Sequence, residues 1–148
     1  MSENNPPSLE DSRGNDLLIV AGEASSALYA ERLLELWQPL GTAKPRCFGI
    51  GNGRMVDLGF EALGRSEELA VVGIQEVLVH FGTIWKVFHA LLKEAELRKP
   101  KLALLLDYPD FNLRLAKKLK QLNIPVVYYI SPQVWAWRSG RIKKIAAV

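Results

Sequence analysis

A carboxylate that ends a buried strand is the residue best placed for chemistry in this chain. The run Leu102-Ala103-Leu104-Leu105-Leu106 is too short for a typical helix. It ends in Asp107, and then come the turn-forming pair Tyr108-Pro109 and Asp110, which stands where a helix cap belongs. The pattern reads as strand, loop and helix. In open parallel sheets ligands bind at the carboxyl ends of the strands, which makes Asp107 the candidate general base. A base so placed, within hydrogen-bond reach of the proton it removes, contributes typically ~10²–10⁴-fold in rate. The rival reading is a loop-structuring hydrogen bond.

A second polar cluster follows the first apolar run. Leu17-Leu18-Ile19-Val20-Ala21 leads directly to Gly22-Glu23-Ala24-Ser25-Ser26. Ser25 or Ser26 can cap the helix that follows, and the free N–H groups of its first turn could hold a phosphate or sugar oxygen. Gly49, Gly51 and Gly53 are a weak dinucleotide signal, because Arg54 stands where a third glycine should be. They read better as a tight turn with close backbone approach. Trp135 and Trp137 are two apart, so an extended segment points both to one side, as a wall for a sugar or an acyl chain or as ordinary packing. His80 and His89 lack metal-ligand spacing. The single Cys47 excludes both an intrachain disulfide and a cysteine-type metal site.

The elements that must position these residues alternate. Strands are expected at 17–21, 46–50, 60–63, about 101–106 and 125–130, with helices after Ser26, over 54–58, from Val71 to Leu92, and from Asp110 to Leu122. Another helix begins near Ser139. The long helical stripe carries Ile74, Val77, Leu78, Phe81, Ile84, Trp85, Phe88 and Leu91, widened by Val72, and Gly82-Thr83 is expected to divide it in two. Its charged and polar residues rule out a transmembrane span. The stripe is either a core-facing helix pair or a surface for a membrane or an acyl chain. Strands alternating with helices define a Rossmann-like α/β fold, a parallel sheet with helices on both faces. With strand order 3-2-1-4-5, the Gly22-Glu23 loop lies beside Asp107 at the switch point.

Composition sets the bounds. At 148 residues, 49% hydrophobic and 24% charged, the chain suits one soluble domain with a sizeable core. Residues 1–15 are polar and proline-containing, with no apolar core for a signal peptide, and read as a flexible tail before a domain over 16–148. A net charge of +3 is mild, with Arg138, Arg141, Lys143 and Lys144 gathered at the end, as a solvated face or an anion or membrane contact. No nucleic-acid partner is expected.

Four stretches together resemble the lipid-A-disaccharide synthases: Val20-Ala-Gly-Glu23, Leu69-Ala-Val-Val-Gly-Ile-Gln-Glu-Val77, Asp107-Tyr-Pro-Asp-Phe-Asn112, and Ser131-Pro-Gln-Val-Trp-Ala-Trp137 with Arg138. The resemblance implies an inverting glycosyltransferase with two Rossmann domains, of which this chain carries an incomplete N-terminal, acceptor-side one, the C-terminal donor-binding domain being absent. It implies transfer from UDP-2,3-diacylglucosamine to 2,3-diacylglucosamine 1-phosphate in lipid A biosynthesis, without metal or cofactor, at the inner face of the cytoplasmic membrane, where the protein is peripheral. Asp107 matches the proposed general base. Gly22, Glu23, Ser25, Asn112, Ser131, Gln133, Trp135, Trp137 and Arg138 are the implied substrate-binding residues. Val72, Ile74, Val77, Leu78, Phe81, Trp85 and Phe88 form the implied membrane or acyl-chain surface. Ala24-Ser25-Ser26-Ala27 stands where the family usually has Thr or Pro and then Ser-Gly-Asp. Partners would include the missing C-terminal half or a second copy, and the chain alone is expected to be inactive. A non-catalytic lipid-binding module and an unrelated flavodoxin-like domain are the rival expectations.

Overall fold

The computed structural model describes residues 16–37, 45–70 and 77–130. Five parallel strands, β1 (Asp16–Ala21), β2 (Arg46–Gly51), β3 (Glu61–Arg65), β4 (Leu102–Leu106) and β5 (Val126–Tyr129), form one sheet in the order β3-β2-β1-β4-β5. This is the expected order. Between them run helices α1 (Ala24–Trp37), α2 (Gly53–Asp57), α3 (Ser66–Ala70), α4 (Val77–Arg98) and α5 (Pro109–Gln121).

Alternation along the strands sorts the core into two layers. Leu18, Val20, Phe48, Ile50, Ala103 and Leu105 pack with Leu91 and Ala95 of α4 and with Leu115 and Leu119 of α5. Leu17, Ile19, Ala21, Cys47 and Leu106 pack with Ala27, Ala30 and Leu34 of α1 and with Met55 of α2. Because β1 is central and covered on both sides, all six of its residues are buried, which is why the five after Asp16, Leu17 to Ala21, form a continuous apolar run rather than an alternating one.

Three sequence expectations change. The long stripe is not broken at Gly82-Thr83, since α4 runs unbroken from Val77 to Arg98. An interior glycine costs only ~1 kcal/mol, and the packing of Val87, Leu91 and Ala95 outweighs it. The helix α3 was not expected at all, its five residues being too few to show a period. Finally, α5 starts at Pro109, with Tyr108 as its N-cap in the left-handed region. Asp110 therefore lies in the first turn, where its charge favours the helix dipole, instead of capping.

Beyond Leu92, α4 is anchored by Arg98. Its guanidinium meets both carboxylate oxygens of Glu61 at 2.6 and 2.8 Å, bonds Glu94 at 2.8 Å, and lies 4.5 Å over the Phe48 ring. This fastens the helix to the β2–β3 side of the sheet.

Candidate functional site at the carboxyl ends of β1 and β4

Strands β1 and β4 are hydrogen-bonded neighbours, with Ala21 paired to Leu106. The next residues in each strand therefore begin the two loops side by side. The chain then leaves β1 for α1 on one face and β4 for α5 on the other, which opens the crevice at this end. Glu23 and Asp107 face each other across it, close enough for Asp107 to act on the Glu23 carboxyl. Gly22 is buried beneath them, and a Cβ there would stand 2.7 Å from the Tyr108 ring, so glycine is what lets that ring close the floor.

Three of the five non-glycine residues with positive φ among those described lie at the same end, the other two, Lys99 and Asn123, preceding β4 and β5. Asp107 (φ 49°), Tyr108 (φ 48°) and Ile130 (φ 61°), just past β5, all occupy left-handed conformations. Such residues cost of order 1–3 kcal/mol each and persist where surrounding contacts over-determine them. The contacts are present. The Asp107 N–H donates to the Tyr129 carbonyl at 3.2 Å, and the Asp107 carbonyl accepts from Asn112 Nδ2 and from the Tyr128 hydroxyl, each at 2.7 Å. Asn112 Nδ2 also donates to the Leu106 carbonyl at 3.2 Å.

Burial pushes the Glu23 carboxyl above the ordinary glutamate range, and the charge of Asp107 and a hydrogen bond with it push the same way. Glu23 is thus the partner driven toward its protonated form. Burial raises the Tyr108 phenol, with Glu23 and Asp110 adding to it, and raises Tyr128 further, so both hydroxyls stay protonated donors at neutral pH.

Linkage gives the pH dependence its sign. A raised carboxyl pKa makes a contribution that is fully present below the unfolded value and is lost as pH rises through the folded one. Glu23→Gln mimics the neutral acid. It is expected to leave stability unchanged in acid and to raise it near neutral pH by about 0.5 kcal/mol, a figure discounted for part exposure. Thermal melts across pH read this as a gain of about 1–2 °C that vanishes on acidification.

The expected capping by Ser25 or Ser26 is corrected. Helix α1 begins at Ala24, so both serines lie in its first turn. Ser25 is exposed, while buried Ser26 accepts from the Glu23 N–H at 3.2 Å and donates to the Glu23 carbonyl at 2.8 Å. The reach back is half of a capping box, and it fixes Glu23 rather than a ligand. Asn112 is fully buried, with its amide nitrogen on the loop carbonyls and its Oδ1 unpaired among the described residues. The glycines of β2 make no phosphate loop. Gly49 lies inside the strand, and Asn52 caps α2 by accepting from the Met55 N–H at 3.0 Å.

Ser131, Gln133, Trp135, Trp137, Arg138, Val72 and Ile74 lie outside the described residues. Val77, Leu78 and Phe81 fall on the first turns of α4, where only the backbone is described. Trp85 is exposed and stacks 4.2 Å from His89, whose Nδ1 lies 2.9 Å from the Trp85 carbonyl. Phe88 turns inward instead, edge-on to Phe111 at 5.4 Å. Sequence reasoning missed Tyr108 and Tyr128. The available signal was strand parity: Leu105 pairs with Tyr128, which puts Tyr128 on the α5 face, while Tyr129 faces α1 and meets Tyr29 at 5.9 Å. No helix among the described residues is long and apolar enough to cross a membrane.

The fold and this site define a doubly wound α/β domain with a carboxylate pair at its switch point. The family profile described as lipid-A-disaccharide synthetase matches residues 17–148, and the chain belongs to that family. It is 50% identical over 134 residues to the lipid-A-disaccharide synthase of Anaeromyxobacter sp. (strain K), covering 90% of this chain and 35% of that protein. It is 49% identical over 129 residues to the synthase of Koribacter versatilis, with 87% and 34% covered, and 48% identical over 130 residues to that of Geobacter metallireducens, with 88% and 34%. The chain thus spans about a third of the length of these relatives.

Proposed function

We propose that this chain is the acceptor-side part of a glycosyltransferase that forms the lipid A disaccharide. The supporting observation is the left-handed Asp107 at the β1–β4 switch point, facing Glu23, in a chain whose family profile carries that activity in its description. Asp107 takes the proton of the acceptor hydroxyl as its oxygen attacks the anomeric carbon of UDP-2,3-diacylglucosamine. The carbon–oxygen bond to UDP breaks, UDP leaves with the electron pair, and the anomeric configuration inverts. Asp107 needs no covalent bond to the sugar in this reaction. Glu23, Ser25 and the α1 N-terminus line the acceptor side of the crevice. The remaining substrate contacts fall to Ser131, Gln133, Trp135, Trp137 and Arg138.

The start of α4, with outward-facing Trp85, is the part assigned to acyl-chain and membrane-surface contact. The experiment is UDP release from the two diacylated glucosamine substrates. The 148-residue chain alone is expected to show none, and the chain paired with the C-terminal remainder of the Anaeromyxobacter relative is expected to restore it. Vesicle binding without turnover in that pairing, persisting in Asp107→Asn, would replace the enzyme reading with a lipid-binding module.

A further inference from the structure

A carbonyl at a left-handed strand end can join neither the sheet ladder nor the next helix, so it needs partners of another kind. At Asp107 that carbonyl has two, the Tyr128 hydroxyl and the Asn112 amide, each at 2.7 Å. The N–H of the same residue is tied to the Tyr129 carbonyl of the same strand that carries Tyr128. Both polar groups of the Asp107 backbone are thereby fastened to β5, and α5 adds a third bond.

We propose that Tyr128 is a positioning residue for Asp107: its hydroxyl, together with the Asn112 amide, holds the Asp107 carbonyl and so fixes the left-handed turn that sets the carboxylate beside Glu23. The role rests on the reading of Asp107 as the general base. With the backbone fixed at three points, only the side-chain torsions of Asp107 remain to place its oxygens. Misplacement by about an ångström is enough to cost up to ~10²-fold in such a reaction. The Tyr128 phenol is suited to the task because burial pushes its pKa up, so it stays a protonated donor at neutral pH. It reaches the loop from a neighbouring strand, so Asp107 is positioned only when β5 has docked beside β4.

The test compares wild type, Tyr128→Phe and, as control, Tyr129→Phe in the 148-residue chain by NMR. Tyr128→Phe is expected to move the carbonyl and carboxyl carbon signals of Asp107 and the backbone signals of Tyr108, leaving those of β1 and β2 in place. Tyr129→Phe should leave Asp107 unmoved. Unchanged Asp107 signals in folded Tyr128→Phe overturn the proposal. If that variant does not fold, wild type decides: a nuclear Overhauser contact between the Tyr128 hydroxyl proton and the Asn112 amide protons is required, and its absence overturns the proposal as well. In the paired transfer assay, Tyr128→Phe is expected to lower kcat about 10-fold with KM within about twofold. Equal kcat in the two chains also counts against positioning. Absence of transfer in the wild-type pairing would sink the enzymatic reading alone, since the NMR comparison stands without it.

Discussion

Asp107→Asn is expected to lower transfer by ~10²–10⁴-fold in the paired assay while leaving the fold intact. The loss follows from chemistry, because an amide has the size of the carboxylate but cannot take the acceptor proton. The preserved fold follows from the backbone. Asp107 sits at φ 49°, and Asn is among the few residues other than glycine that tolerate this region, so the loop and its bonds to Asn112, Tyr128 and Tyr129 persist. Ala would remove the base and strain the turn together. A second readout belongs to the same variant. Removing the Asp107 charge takes away one of the causes that raise Glu23, so its carboxyl signal should titrate closer to the ordinary range. Transfer within about tenfold of wild type in Asp107→Asn would remove Asp107 from the chemistry.

Gly49→Ala is expected to be the most destabilising single methyl among the described glycines, costing more than ~4 kcal/mol. Gly49 lies inside β2 at φ 139°, a conformation open essentially to glycine alone, and a Cβ there would stand 2.1 Å from the Ile19 carbonyl oxygen. Ile19 is the β-ladder partner of Gly49 and belongs to the buried central strand, held by β2 on one side and β4 on the other. It has no room to retreat. The pairing of β2 with β3 also shifts register between Gly49 and Ile50, so the strand already carries an irregularity that a side chain would compound. Against a total stability of typically ~5–15 kcal/mol, the loss is a large fraction of the whole. Denaturant unfolding measures it. Gly53→Ala is the control, since a Cβ there meets nothing within 4 Å, and its effect should stay within about 0.5 kcal/mol. A Gly49→Ala chain as stable as Gly53→Ala would show that the strand relaxes around the methyl.

Much of the architecture was legible because burial writes itself into a parallel sheet. The run Leu17–Ala21 and the run Leu102–Leu106 are apolar without alternation because both faces of these strands are covered, and that pattern identified the two strands that carry the site loops. The same order of elements places Gly22-Glu23 beside Asp107 from the sequence pattern alone, and the sheet has that order. Local capping was less legible. Asp110 and Ser25 or Ser26 looked like helix caps from their residue types, yet α5 already begins at Pro109 and α1 at Ala24, where a left-handed Tyr108 and a side chain reaching back from Ser26 do the work. Residue preference reports what a position tolerates, and only packing decides which of several tolerant positions is used.

The sequence by itself determined the class of fold, the family, and the carboxylate at the end of β4, because apolar runs, turn residues and motif order are properties of neighbours along the chain. Tertiary structure alone decided how that carboxylate is held. Tyr128 is 21 residues from Asp107, and Glu23 lies in the loop that follows another strand, β1. Their meeting depends on strand register and on which face each side chain takes, quantities that exist only once β1, β4 and β5 lie side by side.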